Sequence, residues 1–366
     1  MKKLVSLLTL SLSMYVASAQ SYYTVYGKVI STLTKQPLQG ASVFAQNTTL
    51  GTVTDAEGNF KLSVPEGGYT LVITFTGYNS ETKRISNADA VDRSIVYEMT
   101  EKQKEMEEVS VVATAEVKDG WDKYGQFFIE KFIGQSVNSA RCELKNKDVL
   151  KFYFYKRKNK LKVVATEPLL IENASLGYNI RYSLDSFIHE YNSEVSLYTG
   201  YPLFEEKIPD NNDQYAEWMR ARVVAYKGSA LHFMRSAYNK TLLQEGFQIQ
   251  FLVTENGIEK ALPVKKFYDA LQYSKDDSTS LVELLPLQKR VGILYINEKP
   301  EPGFGVLFPN EPVDFQFSIV GFLSEEGIGI ERNGYYFDQN DLSISGYWTW
   351  ERIADQLPYN YRPVME

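Results

Sequence analysis

The chain has 366 residues, 44% of them hydrophobic and 14% aromatic, with 39 Lys and Arg against 46 Asp and Glu. That length accommodates two or three domains with packed cores, and a charged fraction of 23% at this apolar content excludes a mostly disordered chain. A net charge of −7 excludes a general binder of nucleic acid or anionic membrane, since either needs a basic face.

The chain opens with a positive pair, Lys2 and Lys3, then an apolar run from Leu4 to Val16, then the small residues Ala17-Ser18-Ala19. This is the layout of a secretory signal occupying residues 1–19 and cut between Ala19 and Gln20. The run falls short of the roughly 20 apolar residues of a membrane-spanning helix. No later stretch approaches that length, and no cysteine follows the cut to carry a lipid anchor. The mature chain is therefore expected to be exported and soluble, with no transmembrane span, and to associate with a membrane only peripherally, through partners. The single cysteine, Cys142, is expected to be buried and inert.

From Tyr22 to about Thr100 apolar residues recur with period two. Val25, Gly27 and Val29 alternate with polar neighbours, as do Ala41, Val43 and Ala45, and Tyr69, Leu71, Ile73 and Phe75 oppose Thr70, Thr74 and Thr76. Such alternation marks strands with one buried face. Turn residues separate them at Lys35-Gln36-Pro37, Asp55-Ala56-Glu57-Gly58-Asn59, Glu66-Gly67-Gly68 and Gly77-Tyr78. The spacing predicts a small antiparallel sandwich. Asp55, Glu57 and Asn59 offer too few oxygens for calcium; Asp55 is expected to cap a turn in which Gly58 supplies the unusual backbone angles.

Val25-x-Gly27-x-Val29, Pro37-Leu38-x-Gly40-Ala41-x-Val43, Gly51-Thr52-x-Thr54-Asp55-x-x-Gly58-x-Phe60 and Gly77-Tyr78 together resemble a carboxypeptidase-regulatory-like domain. The resemblance covers about 75 residues. It implies a seven-stranded prealbumin-like β-sandwich over residues 22–100, in a protein of the Gram-negative cell envelope, and it implies no activity. Catalytic zinc carboxypeptidases need two histidines and a glutamate. Only His189 and His232 are present; Glu190 adjoins the first too closely, and no acid follows the second at the needed spacing.

Residues 101–117 read as a charged linker, Glu101 to Glu108, passing into a joining strand at Val109–Ala113. Met106-Glu107-Glu108-Val109-x-Val111-x-Ala113 is similar to the segment following this module in outer-membrane receptors, where it acts as a coupling box. The remaining chain is too short for such a receptor's barrel.

Residues 118–366 read as an α+β domain. Trp121, Tyr124, Phe128 and Phe132 have helical spacing, with Asp119 as a cap and Gly134 as a stop. Asp148–Tyr155 and Leu161–Val164 read as strands joined by the basic turn Lys156–Lys160, with further strands at Leu169–Ile171, Tyr178–Tyr182 and Ser186–Tyr191. Asn211-Asn212-Asp213 opens a helix, Gly228 ends it, and Ser229 opens another that carries His232 as a structural histidine. Val291–Ile296 and Phe315–Val320 are strands, Tyr335–Ile344 a hairpin, and Trp350, Ile353, Ala354 and Leu357 a closing helix stopped by Pro358. Phe132-Ile133-Gly134, Glu167-Pro168-Leu169, Leu176-Gly177-Tyr178 and Ala225-Tyr226-x-Gly228-Ser229 resemble exported proteins that begin with the same sandwich.

No nucleophile elbow, phosphate loop, dinucleotide fingerprint or zinc spacing occurs, so no catalytic, cofactor-binding or metal-binding residue is assigned and no cofactor is expected. Asp277-Ser278-Thr279, in a loop, looks like an acceptor triplet for periplasmic O-glycosylation at Ser278. The chain is thus expected to be a non-catalytic envelope protein in the periplasm or at the periphery of the outer membrane. Its expected role is binding or assembly, with an envelope protein or glycan as partner and no nucleic acid. The alternative is a carbohydrate-active hydrolase using two carboxylates, with Glu167, Glu172, Asp185, Glu190 and Glu194 as the candidates.

Overall fold

The computed structural model describes residues 21–87, 95–102, 116–336 and 342–363. The signal cut at Ala19 and Gln20, the joining strand at Val109–Ala113 and the turn at 338–341 lie outside these residues.

Alternation builds the N-terminal sandwich from β1 (Tyr22–Ser31), β2 (Ser42–Ala45), β3 (Gly51–Val53), β4 (Asn59–Pro65), β5 (Tyr69–Thr74), β6 (Glu81–Ile85) and β7 (Ile95–Met99). One sheet has the order β4-β1-β7 and the other β3-β2-β5-β6. Val25, Val29, Val43, Leu71 and Ile73 meet between them, each worth about 1.5–3 kcal/mol of burial. A Cβ on Gly27 would lie 2.5 Å from the Phe60 ring, so the β1 glycine makes room for that aromatic. At the 55–59 turn, Asp55 Oδ1 accepts from the amides of Glu57 (3.0 Å) and Asn59 (2.7 Å), and Gly58 sits at φ +77° before Phe60 enters the core.

The sandwich does not stand apart. Phe44 and Val72, on the outer face of β2 and β5, are also buried, and Leu203 lies against Gly51. The amide of Asn47 donates to Pro202 O (2.8 Å), that of Phe204 to Thr48 O (2.9 Å), and that of Tyr359 to Asn47 O (2.7 Å). A second contact joins Thr70 Oγ1 to the Tyr335 hydroxyl at 2.7 Å and Arg84 to Glu331 at 2.5 Å.

The remainder is α+β, as expected, and has two large cores. The first lies between helix α1 (Gly120–Phe132) and a six-stranded antiparallel sheet. Its strands are β8 (Cys142–Leu144), β9 (Leu150–Tyr155), β10 (Lys160–Ala165), β11 (Leu169–Asn173), β12 (Tyr178–Glu190) and β13 (Val195–Glu206). The two strands expected at 178–182 and 186–191 are one long strand. A bulge between Leu184 and Ser186 preserves inward alternation on both sides of the irregularity, which makes the halves look separate in sequence. Phe128 and Phe132 stack at 5.0 Å and meet Phe187 and Tyr182 edge-on. Asp119 does not cap α1 with its side chain; it pairs instead with Lys123 at 3.0 Å. Helix α2 (Asn212–Tyr226) is capped by Asn211, whose side chain accepts from the Gln214 amide.

The second core forms around α3 (Ala230–Tyr238), capped by Ser229. Its main sheet has the order β15-β14-β18-β19-β21, from β14 (Phe247–Glu255), β15 (Ile258–Pro263), β18 (Arg290–Tyr295), β19 (Gln316–Phe322) and β21 (Leu342–Gly346). Beside it lie α4 (Phe267–Ala270), β16 (Ser274–Lys275), β17 (Val282–Leu284), α5 (Pro302–Leu307) and β20 (Ile328–Ile330). The expected 335–344 hairpin is not the pairing found: β21 pairs with β19, and Tyr336 bridges Ile330.

The closing α-helix is likewise replaced, by 3-10 turns at Tyr347–Thr349 and Ile353–Asp355. Trp350 packs with Phe304 and Tyr347, whereas Ile353, Ala354 and Leu357 enter the first core. To serve both, the backbone extends at Arg352, and the Ala354 amide donates to Ile133 O at 3.0 Å. Tertiary burial overrides the helical spacing.

Candidate functional site

Among the carboxylates singled out in the sequence, Glu172 and Asp185 stand well apart on the first sheet. Glu172 accepts from Lys145 (2.7 Å) and Lys207, and these two hydrogen bonds hold its carboxyl down at about 2, unsuited to donating a proton. It registers opposite Asn179 on β12, six residues and about 20 Å along the strand from Asp185. Asp185 is exposed at the bulge, and partial desolvation there raises its pKa. Glu190 ends β12, Glu194 follows in the turn, and Glu167 is exposed before β11.

Both histidines are packing elements. His189 is buried edge-on between Phe127 (4.7 Å) and Tyr191 (4.4 Å), with Nδ1 2.9 Å from Ser196 Oγ. His232 accepts from the Gly228 amide (3.2 Å), and its Nε2 lies 3.2 Å from Glu245. Burial lowers the pKa of both. Cys142 is half-buried, and burial pushes its thiol up to about 12. Among the described residues no cluster of three or more His, Cys, Asp or Glu is arranged to hold a metal ion. Ser278 is exposed in the β16–β17 turn, where its amide and hydroxyl both donate to Asp276 Oδ1 (2.8 and 2.7 Å).

The site with the most distinctive chemistry lies at the seam between the two cores and was not legible beforehand. It is a recess of about 80 Å³ bounded by Asn138, the end of α2, the segment after β18, the start of β19 and the 347–355 turns. The acids Glu298, Glu301, Glu351 and Asp355 are among the residues that line it. Glu301 Oε2 accepts from the Trp350 indole (2.9 Å) and the Val137 amide (3.0 Å). Asp355 Oδ1 accepts from Ser136 Oγ and Asn138 Nδ2, both at 2.9 Å, while its Oδ2 is buried with no partner. The side-chain oxygen of Gln316, a residue 5% exposed, is likewise buried without a partner.

Tyr347 and Trp350 form apolar walls, each edge-on to Phe304. Burial pushes Asp355 up to about 6 against the opposing hydrogen bonds from Ser136 and Asn138; burial and then the charge of Asp355 push Glu351 well above the ordinary carboxylate range, and Glu298 is raised mainly by burial. Among the described residues no Lys or Arg pairs with any of the four within 4.0 Å. Lys227 acts on Glu298 from farther away, and Lys299, at the mouth, pairs with Asp314 instead.

Comparison with known proteins assigns the sandwich. Residues 25–111 match the CarboxypepD_reg-like domain, so this part of the chain is a domain of that class. Over 58 residues the chain is 41% identical to the TonB-dependent receptor SusC of Bacteroides thetaiotaomicron, a match covering 16% of this chain and only 6% of the receptor. Among solved structures, a type II cohesin–X-dockerin complex from Acetivibrio cellulolyticus is 32% identical over 21% of this chain and 52% of that one, with a TM-score of 0.16. A DUF3823 family protein from Bacteroides ovatus is 13% identical over 52% of this chain and 83% of its own, with a TM-score of 0.17.

Proposed function

We propose that the chain is a non-catalytic protein exported to the cell envelope, in the periplasm or at the outer-membrane periphery, where it binds or assembles with an envelope protein or glycan. The observation that carries this reading is the CarboxypepD_reg-like sandwich, whose 58-residue similarity is to a TonB-dependent receptor. On this reading residues 1–19 are the removed signal, 22–100 the sandwich, 101–117 the joint and 118–366 the binding body. No helix among the described residues is long and apolar enough to cross a membrane.

The hydrolase reading draws on the raised carboxyl groups of the seam recess. Its volume of about 80 Å³ is far below the roughly 300 Å³ at which small-molecule pockets begin, so a sugar ring would not fit. Affinity capture from washed envelope extracts tests the main reading. Co-purification with a specific envelope protein or glycan is expected; recovery of free chain alone, or glycoside turnover abolished by Glu351→Gln, would overturn it. Glycosylation of Ser278 belongs to the same proposal, supported by its exposure, and the intact mass of native protein decides it.

A further inference from the structure

We propose that the end of the first sheet carrying the β9–β10 and β12–β13 turns rests directly on a bilayer surface of anionic phosphate headgroups. The inference goes beyond an envelope protein held through partners, and rests on that reading only for the protein's location.

The two turns form one end of the sheet. Asn159, at φ +47° in the first, donates through Nδ2 to Asn192 Oδ1 of the second at 2.9 Å, and its carbonyl accepts from the Tyr191 amide at 3.1 Å. Register then fixes what the outer face displays beside them. Tyr155, Lys160, Glu190 and Val195 stand in one row across β9, β10, β12 and β13, and Tyr153, Lys162, Ile188 and Leu197 stand in the next. Residues directly opposed in antiparallel strands share a face, and the inward one is taken by Leu161, Val163 and Phe187.

Lys156, Arg157 and Lys158 are exposed at the tip of the first turn. Among the described residues neither these three nor Lys160 and Lys162 have an acid within 4.0 Å. The acids of this end are Glu116 beside Tyr153, Glu190 opposite Lys160 and Glu194 in the second turn, so cations prevail. The whole-chain charge of −7 bars adhesion by the surface at large but not by one basic end.

Charge alone would suit any polyanion. The same two rows select a bilayer, because Leu197 is 64% exposed and Val195 45% exposed beside the lysines. Cations at phosphate level, tyrosines at the headgroup boundary and aliphatic side chains beneath them match the layers of a membrane interface. A soluble acidic glycan would leave the aliphatic side chains in water.

Co-sedimentation of the native protein with vesicles of equal parts phosphatidylglycerol and phosphatidylcholine, against vesicles of phosphatidylcholine alone, tests this. Binding to the mixed vesicles is expected to be at least tenfold tighter. Replacing Lys156, Arg157 and Lys158 together by Gln, at an exposed tip where the fold tolerates it, should weaken that binding at least tenfold. Leu197→Ser should weaken it about threefold. No sedimentation with either vesicle, equal binding to both, or mixed-vesicle binding unchanged by the triple variant would overturn the proposal. A Leu197→Ser variant that binds like wild type would remove the apolar contact, and with it the choice of a bilayer. Retention on heparin without vesicle binding would also overturn it and assign the basic end to an acidic glycan. The vesicles contain no protein, so the envelope-capture experiment decides the parent reading separately.

Discussion

Arg84 of the sandwich donates to Glu331 of the C-terminal body at 2.5 Å, and the two ends of that ion pair live in different environments. The arginine side chain is 43% exposed, whereas the glutamate is 7% exposed. The buried carboxylate therefore depends on its partner. Arg84→Ala is expected to cost about 1–3 kcal/mol, since it strands a buried charge. Glu331→Gln should cost less, and adding it to Arg84→Ala should restore part of the loss. Urea denaturation of the three variants checks this; additive losses in the double variant would count against the coupling.

A second prediction concerns pH. The Asp355 carboxyl, about 6 when folded against an ordinary 3.8, holds its proton more tightly in the native state. Its stabilising contribution is thus full below about pH 4 and is lost as pH rises through about 6. Glu298 and Glu351 shift in the same direction, while His189 and His232 shift oppositely, so the total curve mixes signs. The difference between wild type and Asp355→Asn isolates the group. Wild type should lose up to about 3 kcal/mol relative to the variant between pH 4 and 7. A flat difference curve would contradict the assignment.

Arg235 yields the largest expected stability effect. It is buried on α3 and donates to the carbonyls of Asn333 (2.9 Å), Tyr359 (3.0 Å) and Tyr361 (2.9 Å). Arg235→Met fills similar space but leaves three carbonyls without their donor, at about 3 kcal/mol or more. Thermal unfolding of the variant should show a fall of several degrees; an unchanged midpoint would mean that water replaces the guanidinium.

Cys142 should resist thiol reagents. With its pKa at about 12, the thiolate is scarce at pH 8, and labelling is expected to run roughly a thousandfold slower than for an ordinary cysteine of pKa about 8.5. Ellman's reagent with and without denaturant makes the comparison. Rapid native labelling would show that the site opens.

The sandwich was readable because each strand's alternation and each turn's chemistry are local. Val25, Gly27 and Val29 point inward for reasons visible within five residues. The α2 and α3 caps, Asn211 and Ser229, were legible for the same reason. The 347–361 segment was not, because Trp350 and Ile353 answer to different cores, and spacing alone cannot report two destinations. The seam recess was hidden more deeply still. Asn138, Gln316 and the Glu351–Asp355 stretch are far apart in sequence, and no motif links them; only the folded seam makes them neighbours.

The turn that carries Ile353 and Ala354 into the first core has a temporal consequence. Those side chains pack on a layer begun by Phe128 and Phe132 more than two hundred residues earlier, and Asn173 donates to Ala354 O at 2.8 Å across 181 residues. During synthesis residue 354 must leave the ribosome before that layer can be sealed. Such high contact order slows folding and keeps the partly made chain open for longer.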